Sequence, residues 1–342
     1  MGHSDLWGTS HRQAGVIGLV QSIQQQLREL FSVPEGYEIV LGNGGATAFW
    51  ATACVSLIRE WGNFAVFGEF GGKFAADGRS APWMNATVDE APAGELAIMN
   101  TALPGGLGLG PDAYCYPHNE TSTGVVSPLY RAPDPEALTL VDATSIAGAA
   151  TVDLSLVDAY YFSLQKCFGA DAGLWVAILS PRAVARAEEL NRLSSRPQFG
   201  ILNLTSAIKS ARKGQTVNTP AIGTLLLVHS QLEWMLAEGG LAEMAARAEA
   251  GADAIIRWAE SRPWATPFVE VPAWRSPVVS TVDLAEEISA GELAARLRPA
   301  GIQDIEGYRG LGRNQLRIAS FPSIDQADID SVLACIDWAV EH

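Results

Sequence analysis

Apolar residues recur at two different spacings along the first 220 residues of the chain. Residues 11–31 and 46–62 carry apolar side chains at the spacing of a helix, and each segment precedes a short apolar run. Such short runs, bounded by glycine, proline or polar residues, are typical of buried strands. The predicted strands are residues 37–42, 63–68, 95–100, 112–117, 138–144, 158–163 and 173–180. This alternation predicts an α/β domain with a mostly parallel sheet covered on both faces.

The pattern changes after about residue 220. Residues 224–240 and 241–262 predict two consecutive helices, and the remaining chain mixes strands with helices near 290–298 and from 325 onward. This order predicts a smaller C-terminal α+β domain. The predicted division is a large domain of residues 13–222 and a small domain of residues 223–342.

Composition and charge exclude several classes of function. The 342 residues contain no apolar run near the roughly 20 residues that a membrane helix needs, so a soluble protein is expected. The formal charge of −15, without a block rich in lysine and arginine, argues against binding to nucleic acid or to an anionic membrane. The four cysteines are widely spaced, the five histidines form no ligand-spaced pair, and the first residues are polar. A reduced, cytoplasmic protein without a metal site is therefore expected.

Charged residues lie close to the carboxyl ends of two predicted strands. In open α/β sheets, sites form beyond the carboxyl ends of the strands, and there LVDATS carries Asp142 and YYFSLQK carries Lys166. A buried strand is a costly place for either charge unless the charge is paired or used. Each residue also has a plainer explanation, since Asp142 could cap a turn or helix and Lys166 could be a solvated charge.

The two charges together fit the chemistry of pyridoxal phosphate. That cofactor needs a lysine for a Schiff base, an acid beside the ring nitrogen, and a phosphate pocket of backbone N–H and hydroxyl groups. Residues 43–49, NGGATAF, place small side chains and Thr47 at the predicted start of a helix, where a phosphate is favoured. A glycine-rich turn is weak support by itself, because most such turns bind nothing.

Several motifs make the resemblance specific. The chain contains, in order, GTSHRQ, LGNGGATAFW, FGEF, HNETSTG, DATS, YYFSLQK, QTVNTPAI and LGRNQLRIASFP. From residue 8 to the C-terminus it resembles the phosphoserine aminotransferase family, most closely the actinobacterial form, among the class V aminotransferases of fold-type I. The resemblance implies a large pyridoxal phosphate-binding domain, a small C-terminal domain and a homodimer. It also implies reversible amino transfer from L-glutamate to 3-phosphohydroxypyruvate in serine biosynthesis, giving O-phospho-L-serine and 2-oxoglutarate.

The resemblance assigns residues to the cofactor. Lys166 matches the Schiff-base lysine and Asp142 the partner of the ring nitrogen. The remaining matches are Thr121 beside the 3-oxygen, Phe70 stacked on the ring, Ala46, Thr47 and Gln165 at the phosphate, and Asn218 and Thr219, which in the family reach the phosphate of the other subunit. Without the resemblance, VNTP indicates the start of a helix capped by Thr219.

The resemblance also assigns a substrate pocket. Arg317 matches the arginine that pairs with the substrate α-carboxylate, which a planar guanidinium can hold through two oxygens. His11 and Arg12 match the pair that binds the substrate phosphate, so residues 1–12 would contribute to the active site. Arg309 matches a further arginine of that pocket, and Arg313 is another candidate. Taken singly, each arginine would be a surface charge.

The sequence departs from the family at Cys167, which replaces the commoner asparagine after the lysine. Two other functions stay open at this point. The chain could be a paralogue that acts on another small 2-oxo acid, of the alanine–glyoxylate or serine–pyruvate type, or a non-catalytic protein that keeps the fold. A second activity in vitamin B6 (pyridoxine) biosynthesis is also left open.

Overall fold

The computed structural model describes residues 6–99 and 110–342. The helices of these residues are α1 (Ala14–Leu30), α2 (Gly45–Ser56), α3 (Glu69–Ser80), α4 (Pro181–Leu190), α5 (Leu204–Ala211), α6 (Ile222–Ala237), α7 (Gly240–Glu260), α8 (Ala290–Leu297) and α9 (Gln326–Glu341). The strands are β1 (Glu38–Asn43), β2 (Trp61–Val66), β3 (Asn85–Glu90), β4 (Ala113–Pro117), β5 (Asn119–Glu120), β6 (Val125–Val126), β7 (Leu138–Asp142), β8 (Ala159–Ser163), β9 (Leu174–Leu179), β10 (Ala265–Pro267), β11 (Val279–Leu284) and β12 (Gln315–Ala319).

A seven-stranded mixed sheet forms the large domain. Its strand order is β1-β9-β8-β7-β4-β2-β3. Strand β9 runs antiparallel to both of its neighbours, and the other adjacent pairs are parallel. Strands β4, β7, β8 and β9 are buried along their whole length, because helices cover both faces of the sheet. The α/β domain with a mostly parallel sheet that the sequence predicts is confirmed.

Alternate residues of the central strands belong to two separate cores. Tyr160 and Phe162 of β8 pack in the core that contains α1 and α6. Tyr161, between them in sequence, packs with Phe49 of α2 and other residues in the core on the opposite face. This alternation explains the continuous aromatic run of β8, since both of its faces meet apolar helices.

A second, three-stranded antiparallel sheet, β10-β11-β12, forms the small C-terminal domain. Its core contains Ile255 of α7, Leu293 of α8 and Ile336 of α9. By contrast, Leu225 of α6 and Met244 near the start of α7 are buried in a core of the large sheet. The domain division at residues 222 and 223 stays a prediction. No helix within the described part of the chain is long and apolar enough to cross a membrane.

The prediction of a strand at residues 95–100 is wrong for residues 95–99, and residue 100 lies outside the described residues. Ile98 is 68% exposed there while Ala97 and Met99 are buried, so the apolar run does not form a buried strand. Strand β3 was missed instead, because its sequence NATVDE is mostly polar and it lies at the edge of the sheet.

The helix predicted over residues 46–62 ends earlier, at Ser56. The carboxylate of Asp112 accepts hydrogen bonds from the backbone N–H groups of Arg59, Glu60 and Trp61, at 2.7 to 2.8 Å. These amides bind a carboxylate 51 to 53 residues away along the chain, so they make no helical hydrogen bonds and the segment turns into β2.

Candidate active site

Asp142 is the last residue of β7, in the middle of the large sheet. It is 8% exposed, and both of its oxygens accept a hydrogen bond. Oδ1 accepts from the backbone N–H of Thr144 at 2.9 Å, and Oδ2 accepts from the indole Nε1–H of Trp50 at 2.7 Å. Burial raises the pKa of Asp142, whereas the bonds from Thr144 and Trp50 lower it. The site therefore contains a buried carboxylate held by two N–H donors.

Lys166 lies three residues beyond the end of β8, the parallel neighbour of β7. The carboxyl ends of these two strands meet at the same edge of the sheet, so Lys166 and Asp142 come from adjacent strand ends. Burial lowers the pKa of the Lys166 amine, and the nearby charge of Arg317 lowers it further. A larger fraction of this amine is therefore unprotonated near neutral pH than for an ordinary lysine.

A cleft of about 650 Å³ opens over these strand ends and is closed on its other side by the small domain. Thr121, Gln165, Lys166 and Arg317 line it. Arg317 comes from β12; its Nη1 donates to the carbonyl of Thr121 at 3.4 Å, and its guanidinium lies 5.5 Å from the ring centroid of Tyr308. Burial lowers the pKa of Arg317. The cleft thus brings an amine and a guanidinium from different domains to one place.

We call Thr121, Asp142, Gln165 and Lys166 the strand-end group. Each of the four is the last residue of a strand or lies within three residues after the last one.

The glycine-rich turn before α2 has the geometry of an anion-binding helix N-terminus. Gly44 and Gly45 have φ angles of 103° and 68°, which favour glycine, and α2 begins at Gly45. Thr47 is exposed at this end. The Ala46 N–H, however, donates to Ser163 Oγ at 2.7 Å, so this amide already has a protein partner. Ser163 ends β8, and sequence reasoning missed it because a strand-end serine carries no signal of its own.

Phe70 lies in the first turn of α3, half-buried. Its backbone N–H donates to Oε2 of Glu120 at 3.0 Å, and its ring meets that of Tyr308 edge-on at 5.8 Å. Glu120 is fully buried and also accepts from Gly71 N–H at 3.0 Å and from Ser122 Oγ at 2.6 Å. Glu120 therefore ties the HNETSTG loop to the start of α3. The sequence offered a signal for it, because Glu120 stands inside that motif.

A second set of predicted site residues lies apart from the cleft, and we call His11, Arg12, Asn218 and Thr219 the peripheral group. The His11 Nδ1 and Thr219 Oγ1 atoms are 3.1 Å apart. The carbonyl of Thr219 accepts from Asn43 Nδ2 at 2.9 Å. Arg12, Asn218 and Thr219 are exposed. Within residues 6–99 and 110–342, the walls of the 650 Å³ cleft include none of the four.

Two further arginines differ in their surroundings. Arg309 lies in an exposed 3-10 turn, Arg309–Leu311, and is not among the residues that line the cleft. Arg313 forms a two-pronged ion pair with Asp283, and its guanidinium lies 4.5 Å from the ring centroid of Phe268. Because the charge of Arg313 already has a carboxylate partner, the structure does not favour it as a substrate ligand.

Comparison with known proteins places these features in a wider group. Residues 2–307 match the family model described as aminotransferase class V. The chain is 47% identical to the phosphoserine aminotransferase of Nocardioides sp. over 99% of this chain and 90% of that protein.

Solved structures share the fold. A phosphoserine aminotransferase from Cytophaga hutchinsonii matches with a TM-score of 0.87 and 25% identity, over 97% of this chain and 91% of that one. An alanine–glyoxylate aminotransferase from Nostoc sp. matches with a TM-score of 0.82 and 22% identity, over 97% and 89% of the two chains. The fold alone therefore does not distinguish between these two activities.

Proposed function

The chain belongs to the phosphoserine aminotransferase family within the class V aminotransferases, and on that premise we propose that it transfers the amino group reversibly between L-glutamate and 3-phosphohydroxypyruvate. It is a pyridoxal phosphate-dependent aminotransferase. The products in the biosynthetic direction are O-phospho-L-serine and 2-oxoglutarate, and the site of action is the cytoplasm. The observation that carries the proposal is that Lys166, Thr121 and Arg317 line the same cleft.

The residues at the strand ends fit pyridoxal phosphate. A buried carboxylate with two N–H donors, Asp142, suits a protonated ring nitrogen, and a partly buried lysine with a lowered pKa suits a Schiff base. We assign these roles to Asp142 and Lys166. Thr121 would lie beside the 3-oxygen, and the ring of Phe70 would cover one face of the pyridine.

The phosphate of the cofactor is assigned to the start of α2. The helix dipole and the unpaired N–H groups of a first turn favour an anion there. Thr47 would supply a hydroxyl and Gln165 an amide. Ala46 would contribute its position in the turn rather than its N–H, because that N–H donates to Ser163.

Lys166, Arg317 and Asp142 would each have a task in the reaction. Pyridoxal phosphate, when bound, supplies a carbonyl carbon that takes the amino group and a ring that accepts electrons from the substrate Cα. The unprotonated amine of Lys166 would remove the proton from the substrate Cα and deliver it to the cofactor carbon that carries the transferred amino group. Arg317 pairs with the α-carboxylate and so holds the Cα–H bond within reach of Lys166. Asp142 keeps the ring nitrogen protonated.

The peripheral group supports the further proposal that the active enzyme is a homodimer. His11 and Thr219 are in contact and, like Arg12 and Asn218, lie outside the cleft of their own chain. We assign them to the cleft of a second subunit. There Asn218 and Thr219 would reach the cofactor phosphate, and His11 and Arg12, with Arg309, would bind the phosphate of the substrate. Two cationic arginines suit a dianion in a chain that is otherwise acidic.

A substrate comparison tests this function. The pyridoxamine form of the purified enzyme is given 3-phosphohydroxypyruvate, unphosphorylated hydroxypyruvate, pyruvate and glyoxylate, and kcat/KM is measured for each. We expect a preference of roughly 10²-fold or more for the phosphorylated acid, because two charge-assisted contacts are lost without the phosphate. Equal rates would assign the chain to another small 2-oxo acid, as in the alanine–glyoxylate or serine–pyruvate type.

A further inference from the structure

The indole of Trp50 is the long-range hydrogen-bond partner of Asp142. Trp50 lies on α2, is 4% exposed, and donates from Nε1 to Oδ2 of Asp142 across 92 residues of sequence. Its ring stacks on Phe74 of α3, with centroids 5.9 Å apart and planes inclined by 18°. Helix α2 itself packs against β8 and β9. Packing against a second helix therefore fixes the direction of the indole N–H.

The second donor to Asp142 is of a different kind. Thr144 N–H reaches Oδ1 from two residues further along the chain, in a local turn that an aspartate forms readily. Trp50 alone supplies a tertiary donor in the pair, and its bond, at 2.7 Å, has the length of a charge-assisted hydrogen bond. The local turn fixes Oδ1 alone. The orientation of the whole carboxylate therefore also depends on the bond from Trp50 to Oδ2.

We propose that Trp50 is a positioning residue whose indole N–H holds Oδ2 of Asp142, so that the carboxylate stays ionised and in one orientation for the ring nitrogen of the cofactor. This inference rests on the role proposed above for Asp142. A protonated Asp142 could not stabilise a protonated ring, so the state of this carboxyl group controls how well the ring accepts electrons.

Burial works against the ionised form of Asp142, and the hydrogen bonds work for it. Among the described residues, the buried tyrosine, cysteine and histidine side chains of this region do not supply a compensating charge near pH 7. Burial raises the pKa of the neighbouring hydroxyls and thiols and lowers that of the imidazole to about 4, so all stay neutral: Tyr160 and Tyr161 of β8, Cys54 of α2, Cys115 of β4, and His118, which follows β4. Lys166, beyond β8, has a lowered pKa.

The first test uses the cofactor-free protein. Indole N–H signals of the ten tryptophans are followed by two-dimensional NMR between about pH 4 and 9, and the Trp50 signal is the one missing from Trp50→Phe. We expect this signal to titrate with Asp142 and to lose its pH dependence in Asp142→Asn. If Trp50→Phe does not fold, Trp→Phe variants of the other nine tryptophans assign their signals one by one and leave the Trp50 signal by elimination. A Trp50 signal that is independent of pH and unchanged in Asp142→Asn overturns the proposal.

The second test uses the loaded enzyme and a matched control. Trp83→Phe also removes an indole hydrogen bond, from Nε1 to the carbonyl of Cys54 at 3.0 Å, without touching Asp142. In Trp50→Phe we expect the acid limb of the kcat/KM profile to move up by about one to two pH units and the Kd of pyridoxal phosphate to rise about tenfold or more. Trp83→Phe should leave both at the wild-type values.

The outcomes separate the two proposals. If Trp50→Phe lowers thermal stability but leaves the acid limb and the cofactor Kd unchanged, Trp50 is only a core residue and the inference is wrong. If instead Asp142→Asn keeps full activity and cofactor affinity, the role assigned to Asp142 is wrong. The inference about Trp50 is then wrong as well, because the carboxylate that Trp50 holds has no role in the reaction.

Discussion

The strand-end group and the peripheral group differ in how their side chains are held. Asp142 and Thr121 are each 8% exposed, and both oxygens of Asp142 are hydrogen-bonded within the large domain. Arg12, in contrast, is exposed, and His11 contacts Thr219, which is itself exposed. One group is complete within a single chain, whereas the other presents its donors at the surface.

The difference follows from what each group has to do. A buried charge must be held by fixed donors, because an unpaired charge in the interior is expensive. Recognition of a soluble dianion needs cations that are accessible until the substrate arrives, and a second subunit can bring them. The buried group should therefore control the chemistry, and the exposed group the choice of substrate. The following substitutions test that division, from the largest expected effect to the smallest.

Lys166→Ala should reduce turnover on the order of 10⁴-fold or more, because it removes the amine that moves the Cα proton. The visible absorbance of bound pyridoxal phosphate should change at the same time. Lys209→Ala, on the exposed side of α5, is the matched control and should keep wild-type kcat. Retention of both the band and the turnover by the Lys166 variant would remove the assigned role.

Asp142→Asn should reduce kcat roughly 10²-fold or more for every substrate, because the ring nitrogen loses its charged partner. The stability of the cofactor-free protein should instead increase in this variant at neutral pH, relative to wild type. Since burial raises the pKa of Asp142, its contribution to stability is present below the unfolded pKa and is lost as the pH rises through the folded pKa.

Asparagine does not titrate, so the Tm of Asp142→Asn relative to wild type should increase from about pH 4 to 8. Thermal unfolding of both cofactor-free proteins at several pH values measures this. A difference in Tm that is constant with pH would show that burial does not raise the pKa of Asp142 in the folded protein.

Arg317→Lys should lower kcat/KM roughly 10- to 100-fold for phosphorylated and unphosphorylated acids alike, because all of them carry the carboxylate that the planar guanidinium pairs with. Arg257→Lys, on an exposed face of α7 with a distant partner in Asp253 at 4.0 Å, should have no effect. Steady-state kinetics with both kinds of acid measures this change in kcat/KM. A loss confined to phosphorylated acids would indicate that Arg317 binds the substrate phosphate instead.

Arg12→Ala should lower kcat/KM about tenfold or more for 3-phosphohydroxypyruvate and less than about twofold for hydroxypyruvate. The selective loss is the direct test of the peripheral group. Arg192→Ala, another exposed arginine, serves as the control and should alter neither value. Equal losses on both substrates would mean that Arg12 has a structural role.

Arg313→Ala should change kcat/KM by less than about twofold and stability by less than about 1 kcal/mol, because its ion pair with Asp283 lies at the surface. Chemical denaturation and the same kinetic assay measure the two quantities. A loss of kcat/KM confined to phosphorylated substrates would instead indicate that Arg313 binds the substrate phosphate.

Sequence reasoning found the residues whose local pattern carries the signal. Asp142 and Lys166 were identified because each follows an apolar run, and the structure places them at and just beyond the carboxyl ends of adjacent parallel strands. The prediction of a strand at residues 95–99 failed because apolar composition alone does not distinguish a buried strand from a half-buried loop. Strand β3 was missed because an edge strand with one exposed side needs few apolar residues.

The sequence by itself determined the alternation of strands and helices, the charged residues at the strand ends and the family motifs, since each of these depends on neighbours within a few positions. Only the tertiary structure decided three hydrogen bonds of the site. The indole N–H of Trp50 donates to Asp142, the backbone N–H of Ala46 donates to Ser163 Oγ, and the backbone N–H of Phe70 donates to Glu120. These partners lie 92, 117 and 50 residues apart in sequence. Their pairing depends on how the helices pack on the sheet, and no local spacing encodes that packing.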